Sequence, residues 1–293
     1  MRNRNWSQYN KKLVQRGSIT FLIDPKMLPK MKPKKIKGKM GRPIGYTDTL
    51  ILLLMMLKIQ FGLTYRSLQG FAESILVTLL KVCVPDYTLV CKRAKTLQHM
   101  LPKLSTKRPH TVLLDASGLK VYGEGEWKRK IHGVGRPRKW LKLHISVDES
   151  TQEIVACTLT ESNVSDVRCA EKLVKKSGKK VCCVKGDGAY DSKGFRSFVN
   201  SIGAEALIPP PKNGIYKWKN SDRDKAIAII QAFGGGKEGR SLWGKLSGYS
   251  KRALVETAFS RYKRLFGPRM FSKLTENQMV ENELKCYLLN KMI

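Results

Sequence analysis

Acidic residues are scarce in this sequence. Aspartate and glutamate number 23 against 56 lysines and arginines, a formal net charge of +33 at pH 7. Such an excess destabilises a compact fold by self-repulsion and implies a polyanionic partner, with nucleic acid first among them. A ribosomal or chromatin-like protein would carry the same charge, so the charge points to a partner and not to an activity. Histidine is scarcer still. His99, His110, His132 and His144 form no pair at metal-ligand spacing, which argues against a zinc centre. The seven cysteines contain no CxxC spacing and read as reduced thiols packed as small apolar residues. Long apolar runs are missing: the best, Leu50–Leu57, is stopped by Lys58 and is too short to span a bilayer. The start, MRNRNWSQYNKK, lacks the apolar core of a signal peptide. These features predict a soluble cytoplasmic protein with no membrane partner. No Ser/His or Cys/His constellation can be built, and Gly133-x-Gly135 lacks the strand-to-helix context of a nucleotide loop. Neither a covalent nucleophile nor a small-molecule cofactor is expected.

What is present is enough apolar material for real cores: 42% hydrophobic residues in a chain of 293. Residues 1–46 read as a basic arm and linker. A polar start leads through Ile19, Phe21, Leu22 and Ile23 to a lysine-rich stretch, Lys26–Arg42, that is either solvated or in contact with phosphate. Residues 47–105 hold three helical segments, Thr47–Gln60, Thr64–Leu80 and one from Pro85-Asp86 to about Leu101. The last carries Lys92, Arg93 and Lys95, the outline of a helix-turn-helix-like DNA-binding region. From 106 to 293 the period changes. Strands are expected at Thr111–Ala116, Leu119–Tyr122, Leu141–Asp148 and Glu153–Thr160. Helices at Asp166–Lys176 and Ser192–Ser201 then alternate with strands at Lys180–Val184 and Glu205–Ile208. That order predicts an α/β fold, a mixed sheet flanked by helices. Residues 212–248 form a polar insertion with one helix, about Ser221–Ala232.

Two aspartates stand after apolar runs: Asp115 after VLL and Asp187 after VCCVKG. An acid at the end of a buried strand is costly to desolvate unless paired or metal-bound. Each also has a turn reading, in DASG and in Asp187-Gly188. Asp166 and Asp191 look like caps of the helices that follow them. Downstream lies GYSKRALVETAFSRYKR (248–264). As a helix turning ~100° per residue, it sets Tyr249, Arg252, Glu256 and Lys263 within one arc. Leu254, Val255, Ala258, Phe259, Tyr262, Leu265 and Phe266 take a neighbouring arc and face a core. The bland alternative is a solvated face with an Arg252/Glu256 pair four residues apart. If the strands of Asp115 and Asp187 are neighbours, Glu256 closes a three-carboxylate cluster that repels itself without a cation. Hard oxygen donors of this kind suit Mg²⁺ or Mn²⁺, two ions at such a site.

The spacing Tyr249-x2-Arg252-x3-Glu256-x6-Lys263 resembles the signature of DDE transposases from bacterial insertion sequences. GLKVYGEGEWKRKIHG (118–133), GDGAYD (186–191) and the opening NWSQYNKKLVQRGSITFLID (5–24) are similar to the insertion-sequence-five family, so the resemblance covers nearly the whole chain. It implies an RNase H-like catalytic domain, with Asp115, Asp187 and Glu256 as the catalytic, metal-binding triad. Tyr249, Arg252 and Lys263 would hold transposon-end DNA beside them. It also implies a nucleoid-associated bacterial enzyme that acts as a homodimer on double-stranded DNA, cutting terminal inverted repeats and joining them to a target. Independently of the resemblance, Lys128, Arg129, Lys130, Arg136, Arg138 and Lys139 lie between Trp127 and Trp140, an arrangement suited to DNA backbone plus stacking.

Overall fold

The computed structural model describes residues 5–22, 45–78, 81–121, 131, 139–215 and 221–293. The lysine-rich arm expected at 26–42 lies outside them, as do Lys128, Arg129, Lys130, Arg136 and Arg138. The chain divides into two compact units, Met1–Pro102 with Ser272–Met292, and Lys103–Phe271 with Ile293.

The first unit is helical among its described residues. Asn5 caps α1 (Trp6–Gln15), its side chain accepting from Gln8 N at 3.1 Å, and α2 (Ile19–Leu22) follows. The sequence had offered no helix there. Thr47 caps α3 (Asp48–Gln60), accepting from Leu50 N at 3.2 Å. Leu50–Leu57 are all buried, so α3 is apolar on every side because it is the centre of the unit. Thr64 caps α4 (Tyr65–Ala72), which continues as a π-helical turn, Glu73–Val77. Asp86 caps α5 (Tyr87–Ala94), followed by a 3₁₀ stretch, Lys95–Met100. Of the three cations expected on that helix's polar side, Lys92 and Lys95 are exposed. Arg93 instead pairs with Asp48 and donates to Tyr46 O at 2.8 Å.

The second unit, among its described residues, is a six-stranded mixed sheet with helices against it. β1 (His110–Val121) pairs antiparallel with β2 (Lys139–Asp148), and β2 with β3 (Ile154–Glu161). Beyond β1, β4 (Val181–Lys185) and β5 (Glu205–Leu207) run parallel, giving the order β3-β2-β1-β4-β5. A short β6 (Arg269–Met270) pairs with the far end of β1. The two strands expected at 111–116 and 119–122 are therefore one, and Asp115 sits inside it rather than at its end. Gly118 does not break β1 because the Trp140 ring from β2 lies over it, 3.3 Å from where a Cβ would stand.

Ser165 and Ser192 occupy the N-cap positions of α6 (Asp166–Ser177) and α7 (Lys193–Ser201). On one face of the sheet Val112, Leu114 and Val184 pack with Leu173 and Val174 of α6 and Phe195 and Val199 of α7. The opposite face, which carries Asp115 and Ser117 by strand alternation, receives the 3₁₀ turn Tyr249–Ala253 and the helix that follows it. Asp166 and Asp191 are not caps. Asp166 is the first residue of α6 and pairs with Lys142 at 3.1 Å. The side chain of Asp191 is enclosed, accepting from Arg196 at 2.7 Å and from Arg223 at 3.1 Å.

Among its described residues the insertion holds two helices where one was expected, α8 (Asp222–Ala232) and α9 (Gly236–Leu246). Gly234, Gly235 and Gly236 all have positive φ, so the triple glycine is a tight reversal between helices and not an exit into a loop. Gly239 lets α9 approach: a Cβ there would lie 2.3 Å from Ile230 O.

Candidate active site

The helix α10 (Leu254–Phe266) buries Val255, Ala258, Phe259, Tyr262 and Phe266, with Leu254 and Leu265 half-buried. The apolar arc read from the sequence is the packed one. The chain enters it at Gly248, left-handed at φ 68°, and then through the 3₁₀ turn that carries Arg252. That turn departs from the continuous α-helix expected from Tyr249, because left-handed Gly248 starts the segment on a tighter winding.

Arg252 is the hub of the site. Its Nη2 donates to Asp115 Oδ2 at 3.0 Å and stands 4.0 Å from Asp187 Oδ2, while its Nη1 donates to Glu256 Oε1 at 2.9 Å. The i,i+4 pair and the carboxylate cluster are thus both present, and they share one guanidinium. β1 and β4 are hydrogen-bonded neighbours, the condition under which the sequence brings Asp115 and Asp187 to one place.

Asp115 is the most enclosed of the three, its side chain 17% exposed against 39% for Asp187 and 61% for Glu256. Burial pushes its carboxyl up, and the charges of Asp187 and Glu256 push the same way. A hydrogen bond from Ala116 N and the Arg252 charge oppose them. Asp187 also fulfils its turn reading: its Oδ1 accepts from Ala189 N at 2.9 Å, capping the 3₁₀ turn Gly188–Tyr190. Gly186 permits that turn, since a Cβ there would meet the Tyr190 ring at 2.8 Å.

The remaining sequence-predicted residues divide. Lys263 Nζ donates to Ser117 Oγ at 2.6 Å, two residues along the same face of β1 from Asp115. The Tyr249 ring packs on Trp243 of α9, 5.1 Å between centroids, and burial pushes its phenol up. Its core-packing reading is realised, with the acid cluster close enough to influence it electrostatically. Lys139 is exposed at the start of β2. The sequence reading passed over Ser117, Trp243, Glu149 and Lys185. Lys185 closes a buried strand, where an ammonium needs a partner, but nothing in the sequence names that partner.

Among the described residues, no group of three or more His, Cys, Asp and Glu stands at the spacing of a metal site. The acids are instead gathered on a guanidinium. Their chemistry still fits a hard divalent cation: three carboxylates from three elements, one largely exposed, already arranged about positive charge. The cysteines supply nothing to this site, and all seven are free thiols. Cys157, Cys183 and Cys286 are buried as expected, but Cys83, Cys91 and Cys182 are exposed; strand alternation turns Cys182 outward beside buried Cys183.

Two family models and a solved structure match this chain. A family model described as a transposase DDE domain matches residues 106–289, which include all three acids. A second model with the same description matches residues 14–124. Among solved structures, the cryo-EM structure of a piggyBac transposase synaptic complex with hairpin DNA aligns at a TM-score of 0.45 and 10% identity. The alignment covers 95% of this chain and 75% of that one. With more than half of its length matched by the model over residues 106–289, the chain belongs to the transposase DDE domain family and is a DDE-type DNA transposase.

Proposed function

We propose that the chain binds the terminal inverted repeats of a bacterial insertion sequence of the insertion-sequence-five family, cuts there, and joins the freed 3′ end to target DNA. The observation that carries the reading is one guanidinium, Arg252, contacting carboxylates from β1, from the turn after β4 and from α10. A nuclease needs such a concentration of oxygen donors beside cations at the scissile phosphate, and an RNase H-like fold supplies it at neighbouring strands.

Asp115, Asp187 and Glu256 would hold the divalent ions, Mg²⁺ or Mn²⁺ and two in number. Such ions, when bound, lower the pKa of an attacking water or hydroxyl and neutralise charge on the phosphate. The protein's own groups do the rest. Arg252 offers a planar fork to a phosphate and Lys263 a point charge. Tyr249, its ring packed on Trp243, offers its hydroxyl to a phosphate. The basic stretch with Lys128, Arg129, Lys130, Arg136, Arg138 and Lys139 contacts DNA backbone, and the helices of 47–105 read the end sequence. Two ends must meet, so a homodimer on DNA in the bacterial nucleoid is the working form.

Strand transfer tests this reading against its rivals. A pre-cut end duplex incubated with plasmid and Mg²⁺ or Mn²⁺ gives joined product if the reading holds. End nicking without joining would identify a nuclease that only hydrolyses. End binding with neither reaction would leave a DNA-binding regulator derived from a transposase.

A further inference from the structure

Lys185 closes β4 two residues before Asp187 and is 5% exposed. Its Nζ donates to Gly248 O at 2.8 Å and lies 2.6 Å from Glu149 Oε2. The other oxygen of Glu149 takes Lys251 Nζ at 2.8 Å. Glu149 is anchored in turn, its backbone N–H donating to Thr111 O at 3.0 Å. Across the ladder Lys185 pairs with Leu113, two residues before Asp115. One buried ammonium therefore joins the strand that leads to Asp187, the edge of β1 and the glycine from which the Arg252 turn departs. Desolvating a lysine is costly, and an apolar side chain of similar length would often serve stability as well. What an apolar side chain lacks is direction: it cannot hold the Gly248 carbonyl at a fixed distance.

We infer that Lys185, with Glu149, is a positioning residue that sets how far Arg252 and Glu256 reach toward Asp115 and Asp187. This rests on the reading of the acid cluster as the reacting centre. Neither residue touches the acids; they act through the backbone at Gly248 and through Lys251. A left-handed Gly248 with a tethered carbonyl gives the 3₁₀ turn one starting point, and Arg252 follows four residues on.

The test compares Lys185→Met, Glu149→Gln and Lys185→Arg with wild type. Hydrogen exchange comes first, because it does not depend on activity. Lys185→Met should lose protection in the peptide covering 248–256 and keep it in α6 and α7; unchanged protection at 248–256 would overturn the inference. Single-turnover cleavage of a labelled end duplex comes second. Displacement of the cluster by about an ångström predicts a fall of about 100-fold in rate at unchanged DNA affinity. Lys185→Arg, which keeps a cation and a donor, should recover most of it. Wild-type rates in Lys185→Met, a loss that tracks global unfolding, or no recovery in Lys185→Arg would each overturn the inference. If wild type binds ends and does not cut, the proposed function fails instead. Local loosening of 248–256 in Lys185→Met would then show a structural clasp alone, and the positioning role would fall with that reading.

Discussion

Arg252 donates to Asp115 and Glu256 and faces Asp187, so its removal leaves three like charges with less compensation. The Asp115 carboxyl, already pushed up by burial, should then titrate higher still, since Arg252 is among the few groups holding it down. A raised carboxylate makes the ionised form costly, so Arg252→Ala should lose about 1–3 kcal/mol at neutral pH. That loss should shrink as pH falls through the Asp115 titration. Carboxyl-carbon NMR and melts between neutral and mildly acid pH would show both effects. An unmoved Asp115 resonance would mean that Arg252 does not govern the cluster.

Glu149 has the opposite sign. Burial works against its charge, yet hydrogen bonds from Lys185 and Lys251 and their charges hold its carboxyl below the usual value. Its stabilising contribution is present above about pH 4.3, the ordinary glutamate value, and is lost as pH falls through its lowered one. Glu149→Gln should therefore flatten the acid limb of the stability curve. Equal acid sensitivity of variant and wild type would contradict this. The gathering of Asp115, Asp187 and Glu256 with Arg252 was legible in the sequence, from two acids after apolar runs and one helical spacing. Lys185 and Glu149 were not, because they meet only through a strand pairing and a turn.

Among the elements, the pair α8 and α9 depends on one missing methyl. Gly239→Ala would drive a Cβ into Ile230 O, an overpacking that costs about 1–3 kcal/mol. The Trp243–Tyr249 contact transmits any shift of α9 to the start of the Arg252 turn, so this variant should lower end-cleavage rate as well as melting temperature. Normal melting would show that the helices separate freely. The sequence hid α9 because Gly234 and Gly235 precede it and Gly236, Gly239 and Gly244 lie within it, a composition with poor helix propensity. It split β1 for the related reason that Gly118 reads as a break, whereas the Trp140 ring covers it. The alternation of β4, α7 and β5 was legible because hydrophobic period and capping serines agree there. In α11 (Thr275–Lys291), the buried polar residues Gln278, Glu281, Asn282 and Lys285 erase the amphipathic pattern that would mark a helix. Their compensation, including a Lys285–Glu281 pair at 2.7 Å, is visible only once the chain is folded.

For the whole molecule the governing quantity is the charge of +33. DNA binding should release counterions, and six to ten phosphate contacts would weaken it by about 10³–10⁵ between 50 and 200 mM salt. A shallow salt dependence would mean that the excess charge is spread away from the DNA. Among the described residues no single helix is long and apolar enough to cross a membrane, and the apolar run of α3 is spent on the core of the helical unit. The central claim, however, is chemical. The most direct measurement is metal-dependent nicking of a labelled transposon-end duplex by wild type and Glu256→Gln, with DNA binding measured in parallel. The account predicts that both bind equally, that wild type cuts at the end, and that the variant is slower by about 10³-fold or more, the size of effect expected when charge stabilisation at the reacting centre is lost. Equal cutting by both proteins would contradict it, and would return Glu256 to an ordinary helix ion pair.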